Sequence, residues 1–310
     1  MTDIPDISLI VLSWNTLELT RACLRELDTC QAASHLKYEI VVIDNHSEDG
    51  SADMIANEFP HVQLTRNQEN VGYARGVNQG LGLASGRLLT LLGSDTEVRP
   101  GTLEHMERFL AEHPRVGVVA PRLVSADGSP QRACMRFPDL KVALAYDTAI
   151  EGTEIGDKIL DRYKYMDWDH LEDASVDQPP GTCLMVRRQV FETVGPMDRM
   201  LWLFFNDVDW CLRIRRAGWD IWYLHEGTEV LHHIGQSTSR FPTFPFEWHK
   251  NRLHFYRKHY HSMGVFFIKL AMVYIAGREV LRIRRNLEDT REFMRHASQV
   301  LRALGGVMLM

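Results

Sequence analysis

Short, uninterrupted apolar runs alternate along the chain with stretches in which apolar residues recur every three or four positions. Residues 7–12 form the first run, and Leu17, Cys23, Leu24 and Leu27 then fall on one helical face. Residues 39–43 are predicted as a second strand of the buried type and 62–64 as a short strand, with 88–92, 116–120, 183–186, 219–224 and 229–232 as further strands. Helices are predicted over 73–84, over 100–112 with Pro100 in the tolerant first turn, over 188–194, and over 208–217 up to Gly218. This alternation predicts an α/β fold with a mostly parallel, doubly wound sheet. Residues 125–178 show no clean period and are expected to form a loop-heavy insertion. Past Phe241 come Pro242, Pro245 and long helical segments, so a boundary is placed near residue 241.

Composition changes this picture at a few points. A chain of 310 residues that is 45% hydrophobic and 25% charged is neither disordered nor a disulfide-stapled miniprotein. The net charge of −6 gives no case for nucleic-acid binding, but it is unevenly spread. From residue 249 onward there are twelve basic and four acidic residues, a net of +8 that leaves −14 for the rest. A basic tail on an acidic body faces something anionic. The five cysteines form no CxxC pair, and the N-terminus lacks the features of a signal peptide, so a reducing cytoplasm is expected. The most apolar window, 265–277, has 13 residues including Lys269, short of the roughly 20 that span a bilayer.

Ligands of open α/β sheets bind beyond the carboxyl ends of the strands. Asp44 directly follows the 39–43 run and Asp95 follows 88–92, which puts two carboxylates at one rim, although an aspartate after a strand is commonly a turn or cap residue. Between them, residues 70–80 are rich in glycine and asparagine, suited to close backbone approach and to reading polar ligand edges. Gly80, Gly82 and Gly86 have the wrong spacing and context for a dinucleotide fingerprint, and no P-loop is present. Farther on, Phe204 and Phe205 lead into a predicted helix start bearing Asn206, Asp207 and Asp209. The helix dipole is a sufficient reason for acidic residues there; the functional alternative is a general base.

Taken in order, Trp14-Asn15, Asp44-Asn45-x-Ser47-x-Asp49-Gly50-Ser51, Asn70-x-Gly72-x-Ala74-x-Gly76-x-Asn78-x-Gly80 and Gly93-Ser94-Asp95 resemble the nucleotide-sugar half of family 2 glycosyltransferases. The segments beginning at Gly181, Val194 and Asn206 resemble the acceptor half, and His232-His233-Ile234-Gly235-Gln236-Ser237 resembles the closing metal-site loop. The spacing is most similar to the rhamnosyltransferase-like branch. The resemblance implies a GT-A fold, with a catalytic domain over 1–241 (nucleotide-sugar half about 1–120, acceptor half about 121–241) and a basic helical extension over 242–310. It further implies inverting transfer from a nucleoside-diphosphate sugar, dTDP-rhamnose or a UDP-sugar, to a saccharide or lipid-linked saccharide in cell-surface glycan assembly.

Carried over by position, the resemblance makes Asp207 the general base. It assigns the donor to Ser13, Asn15, Asp44, Asn45, Asn70, Gly72, Tyr73, Asn78, Ser94 and Asp95. It gives Asp95 and His232 a divalent cation, Mg²⁺ or Mn²⁺, with His233 as fallback, and puts Trp202, Asn206, Asp209 and His233 around the acceptor. Two positions depart from the family pattern. Gly93 stands where many relatives carry Asn or Asp, and Asn206 replaces the usual Glu before the base. They motivate an alternative, a catalytically degenerate nucleotide-sugar-binding subunit. The apolar 265–275 stretch, flanked by Arg278, Arg282, Arg284 and Arg285, is expected either to contact the inner face of the cell membrane peripherally or to pack on the catalytic domain or a second copy.

Overall fold

The computed structural model describes residues 4–233, 244–286, 298 and 305–307. The 234–237 part of the expected metal-site loop, the boundary at 241, and Arg291, Arg295 and Arg302 lie outside the described residues. The chain divides into two compact units. The first comprises Met1–Arg136, Trp168–Trp202 and Asn206–Arg240; the second comprises Phe137–Asp167, Leu203–Phe205 and Phe241–Met310.

The first unit begins with β1 (Ile7–Ser13), α1 (Leu17–Ala33), β2 (Tyr38–Asp44), α2 (Ser51–Glu58), β3 (Gln63–Arg66), α3 (Tyr73–Leu83) and β4 (Leu88–Gly93). These strands lie side by side in the order β3-β2-β1-β4, all parallel. The central residues of β1, β2 and β4 are buried whichever face they point to, which is why these three read as unbroken apolar runs; β3 is partly exposed. Next come β5 (Thr96–Val98), α4 (Thr102–Glu112), β6 (Val116–Pro121) and β7 (Leu123–Val124). α4 starts two residues later than predicted, because Gly101 takes a left-handed φ of +86° just before it.

In the second unit, α5 (Leu140–Ala145) is capped by the Asp139 carboxylate and α6 (Glu154–Tyr163) by the Thr153 hydroxyl. The irregular 125–178 stretch thus contains two helices. The first unit then resumes with β8 (Ala174–Ser175), β9 (Cys183–Arg187), α7 (Arg188–Val194), α8 (Asn206–Arg216), β10 (Asp220–Leu224) and β11 (Val230–His232).

β9 inserts between β4 and β6 antiparallel to both, so the full eight-stranded order is β3-β2-β1-β4-β9-β6-β10-β8 and the sheet is mixed on that side. β11 leaves this sheet altogether. It pairs with β5 and β7 in a three-stranded sheet that brings His232 opposite Thr96, next to Asp95. The core runs from Ile7, Leu9 and Val11 through Cys23, Leu24 and Leu27 to Val119 and Met185. All five cysteines are free and buried.

The second unit closes with α9 (Phe244–Asn286), two helices joined at His261, where φ is 53° and ψ −140°. Tyr256 donates to the Asp139 carbonyl at 3.0 Å and Tyr260 to that of Pro138 at 2.8 Å. Arg252 donates to Ala143 and Tyr146 carbonyls, both at 3.1 Å, so α9 is bonded to the segment around α5.

Candidate active site

Strand register builds the rim. Ser13 lies opposite Asp44, and Leu12 opposite Gly93, so the carboxyl ends of β1, β2 and β4 finish level. Asp44 is only 2% exposed; its Oδ1 accepts the Ser47 N–H at 3.0 Å while its Oδ2 is buried with no partner. A buried carboxylate oxygen left unpaired is costly unless a donor from a ligand reaches it. Asn15, in a left-handed conformation with φ +52°, laces this rim together. Its N–H donates to Ser47 Oγ at 2.9 Å and its Oδ1 accepts the Glu48 N–H at 2.7 Å.

Asn45 shapes the next loop. Its Nδ2 donates to Asn70 Oδ1 at 2.8 Å and its Oδ1 accepts from Val71 N–H at 3.0 Å and from Asn67 Nδ2 at 3.1 Å. Asn70 Oδ1 also accepts the Gly72 N–H at 3.0 Å. Gly72 is held at φ +84°, and a Cβ there would meet Trp202 Cδ1 at 2.4 Å. The Tyr73 N–H donates to the Trp202 carbonyl at 2.6 Å. The Asn78 amide clamps the Met197 backbone with bonds of 2.8 and 2.9 Å. Asn78 therefore acts on backbone and Asn45 on the Val71 N–H and the Asn67 and Asn70 side chains: they fix the turn and loop that frame the site.

The Ser13 and Ser94 hydroxyls are turned inward, at the two ends of a buried chain. Ser13 Oγ meets Thr20 Oγ1 at 3.0 Å, Thr20 meets Thr16 at 3.0 Å, and Thr16 meets Ser94 at 2.8 Å. This chain ties the start of α1 to the residue before Asp95. Asp95 Oδ2 lies 3.8 Å from His232 Nε2, too far for a hydrogen bond. His232 Nδ1 is bonded to Gln131 Oε1 at 2.8 Å, while Gln131 Nε2 donates to the His232 carbonyl at 2.9 Å. Burial pushes the Asp95 carboxyl up, partly offset by His232, and burial likewise pulls the His232 imidazole down towards its neutral form.

A neutral imidazole whose other nitrogen is anchored, facing a carboxylate across a gap longer than a hydrogen bond, is a donor set that suits a cation. No group of three or more His, Cys, Asp or Glu side chains able to hold a metal occurs among the described residues. Two protein ligands do fit Mg²⁺ or Mn²⁺, which keep water and substrate phosphate in their shells. His233 is committed elsewhere: its Nε2 bonds Glu97 Oε1 at 2.9 Å and its N–H the Asp95 carbonyl at 3.0 Å.

Asp207 opens α8. Its Oδ2 accepts from Gly181 N–H at 3.1 Å and Gln178 Nε2 at 3.2 Å, and its Oδ1 from Val208 N–H at 2.8 Å. Tyr73 Oη donates to the Gly181 carbonyl at 2.8 Å, so the donor-side loop and the carboxylate meet on one residue, Gly181. Burial raises the Asp207 carboxyl above its ordinary range, and these hydrogen bonds oppose the shift. Burial, and after it the charges of Asp207 and Asp95, also raise the Tyr73 phenol. Asn206 Oδ1 accepts the Asp207 N–H at 2.8 Å. Asp209 is fully buried, pairing with Arg213 at 2.8 Å, and Arg213 in turn holds the Val194 and Pro196 carbonyls. Asp209 is thus a packing ion pair beneath the helix.

The comparison with known proteins bears directly on this constellation. The family model described as "Glycosyl transferase family 2" matches residues 8–195. The chain is a family 2 glycosyltransferase. It is 26% identical over 251 residues to the N-acetylglucosaminyl-diphospho-decaprenol L-rhamnosyltransferase of Mycobacterium tuberculosis, covering 77% of this chain and 80% of that one. It is 25% identical over 228 residues to the glycosyltransferase AglE of Haloferax volcanii, covering 72% and 66%. Among solved structures it resembles the mannosyltransferase PcManGT of Pyrobaculum calidifontis, in complex with GDP-Man and Mn²⁺. The TM-score is 0.54 at 16% identity, over 99% of this chain and 88% of that one. The fold of this glycosyltransferase is GT-A.

Gln131 and Gln178, the residues that anchor His232 and Asp207, carry no sequence signal. Each lies in the irregular 125–178 stretch, 101 residues before its histidine and 29 before its carboxylate respectively.

Proposed function

We propose that this glycosyltransferase moves a sugar, with inversion, from a nucleoside-diphosphate sugar to a hydroxyl of a saccharide or lipid-linked saccharide in cell-wall glycan synthesis. The observation that carries the reading is Asp207, a carboxylate fixed by Gly181 and Gln178 and raised in basicity by burial. In the reaction the acceptor O–H gives its proton to Asp207 while its oxygen attacks the anomeric carbon. The bond from that carbon to the diphosphate oxygen breaks, and the nucleoside diphosphate leaves. Asp44 would meet a base or ribose donor through its unpaired Oδ2. The loop over 70–78, held by Asn45, would lie along the nucleotide. Asp95 and His232 would hold Mg²⁺ or Mn²⁺, which supplies charge stabilisation to the departing diphosphate. Residues 1–120 then serve as the donor half and 121–241 as the acceptor half.

dTDP-rhamnose is the favoured donor, supported by the name of the mycobacterial relative, with a UDP-sugar next. Thermal unfolding with dTDP, UDP and GDP tests this. One nucleotide at about 100 times its Kd should add roughly 2.7 kcal/mol, and Asp95→Ala should remove only the part that depends on Mn²⁺. A nucleotide shift that ignores both Mn²⁺ and Asp95→Ala would take the metal out of the reading and favour the degenerate binder. Gly93 and Asn206 motivate that rival. Yet Asn206 still holds the Asp207 N–H, and the space at Gly93 is filled by Asp95 itself, whose Oδ1 would be 2.7 Å from a Cβ there.

The enzyme is further proposed to sit peripherally on the inner face of the membrane. Among the described residues, Glu247–Arg278 is the helical segment long and apolar enough to cross a bilayer by length and composition. Past the bend at His261, α9 has one buried side (Ile268, Ala271, Met272, Ile275) and an exposed apolar stripe of Met263, Phe266, Leu270, Val273 and Leu281. A helix with protein on one side and an apolar stripe flanked by Lys269, Arg278 and Arg284 on the other suits lying along an anionic surface better than crossing it. Full-length protein should float with phosphatidylglycerol liposomes. Phe266→Ser/Leu270→Ser, which alters exposed positions only, should stay in the soluble fraction with an unchanged Tm. Equal flotation of both proteins would discard this surface, and a concentration-dependent dimer lost in the variant would assign it to a second copy.

A further inference from the structure

A cavity of about 470 Å³ opens beside the loop and turn that frame the site, lined by Val71, Arg75, Asn78, Gln79 and Arg199. Arg75 lies in the first turn of α3 and Arg199 in the turn between Met197 and Trp202. These two segments are joined at two places: by the paired Asn78–Met197 bonds, and by the Tyr73 N–H to Trp202 carbonyl bond with the close approach of Gly72 to Trp202. The two guanidinium groups are therefore carried on one preorganised frame.

Both arginines are exposed, and neither has a carboxylate partner among the described residues. Among the described residues no carboxylate lines the cavity. The neighbouring Asp198 accepts the Met200 N–H at 3.0 Å. The amides are engaged too: Asn78 holds Met197, and Gln79 exchanges hydrogen bonds of 2.9 and 3.0 Å with Asn67. That leaves the arginines as the groups offered to a ligand, in a volume within the usual range of small-molecule sites. Two like charges facing one cavity, in the part of the chain whose net charge is −14, are complementary to a compact dianion.

We propose that this cavity receives the diphosphate of a lipid-linked acceptor, apart from the donor diphosphate at the Asp95 rim. The inference rests on the proposed lipid-linked acceptor and on a diphosphate joining its saccharide to its lipid, as the name of the mycobacterial relative gives for that enzyme's own acceptor. Arg75 and Arg199 would grip its oxygens bidentately, and the cavity would set the acceptor's register relative to Asp207, which Tyr73 and Gly181 connect to the same end of α3.

Geranyl diphosphate is the probe, titrated calorimetrically into the full chain with and without saturating dTDP or UDP and Mg²⁺. The wild type is expected to bind it in both conditions, more weakly as salt rises. Arg75→Gln/Arg199→Gln should weaken that binding by roughly 100-fold, since each charge-assisted contact is worth about tenfold. Its Tm and nucleotide affinity should be unchanged. Wild-type affinity in the double variant, or no probe binding by a wild type that still binds nucleotide, would overturn the assignment. Competition between probe and nucleotide, with both lost in the variant, would reassign the cavity to the donor and also overturn it. Probe binding without any nucleotide binding would uphold the cavity while removing the donor reading beneath it.

Discussion

Asp207→Asn is expected to keep nucleotide binding and to lose transfer by about 10²- to 10⁴-fold, the contribution of a positioned base. The amide can still accept from Gly181 and Gln178 through its oxygen, so the surrounding loop should persist and Tm should move by only a few degrees. What it cannot do is take the acceptor's proton. The same chemistry fixes the sign of the pH dependence. Burial raises the Asp207 carboxyl, and the base works only when ionised, so kcat/KM should fall as pH drops through a value above the ordinary one of about 4. Gln178→Ala removes a hydrogen bond to the ionised form and should shift that acid limb to higher pH. Initial rates from pH 5 to 9 for the wild type and Gln178→Ala read this out. Undiminished transfer by Asp207→Asn would take the residue out of the base role. Nucleotide binding without turnover in both proteins would favour the degenerate subunit.

The donor side of this site was legible in the sequence for a physical reason. Strands buried on both faces write themselves as unbroken apolar runs, and parallel strands joined by helices must end on one rim, so the sequence alone brings Asp44 and Asp95 to one edge. The direction of β9 could not be read, because the run 183–186 looks the same whichever way it threads between β4 and β6. Nor could the departure of β11 into a second sheet, which depends on three residues pairing with β5.

Within the loops, sequence says which polar residues are present but not where their side chains turn. Asn45 and Asn78 look like ligand readers and bind the protein's own loops; Ser13 and Ser94 look like rim hydroxyls and close a buried chain. Gln131 and Gln178 show the converse. Their role is set by tertiary contact alone, so nothing in the irregular stretch that contains them marks them out.

Gly72→Ala is expected to cost about 2–5 kcal/mol, the sum of a strained backbone and an overpacked contact. At φ +84° and ψ 171° the residue sits in a region essentially reserved for glycine. Its added methyl would meet the Trp202 indole at 2.4 Å, far inside van der Waals contact. The clash has no easy relief, because the Tyr73 N–H holds the Trp202 carbonyl and Asn78 holds Met197 five residues earlier. For a chain of this size the loss is worth a drop in Tm of roughly 3–8 °C. The two contributions separate in a double-mutant cycle with Trp202→Ala. Removing the indole should recover the overpacking part and leave the strain, so the double variant should be less destabilised than the two single changes added together. Strict additivity would place the whole cost in the backbone. A Gly72→Ala protein with wild-type Tm and wild-type nucleotide affinity would mean that this loop can re-form around a side chain, and that the close approach of Trp202 to its backbone is not what holds the donor side of the site in shape.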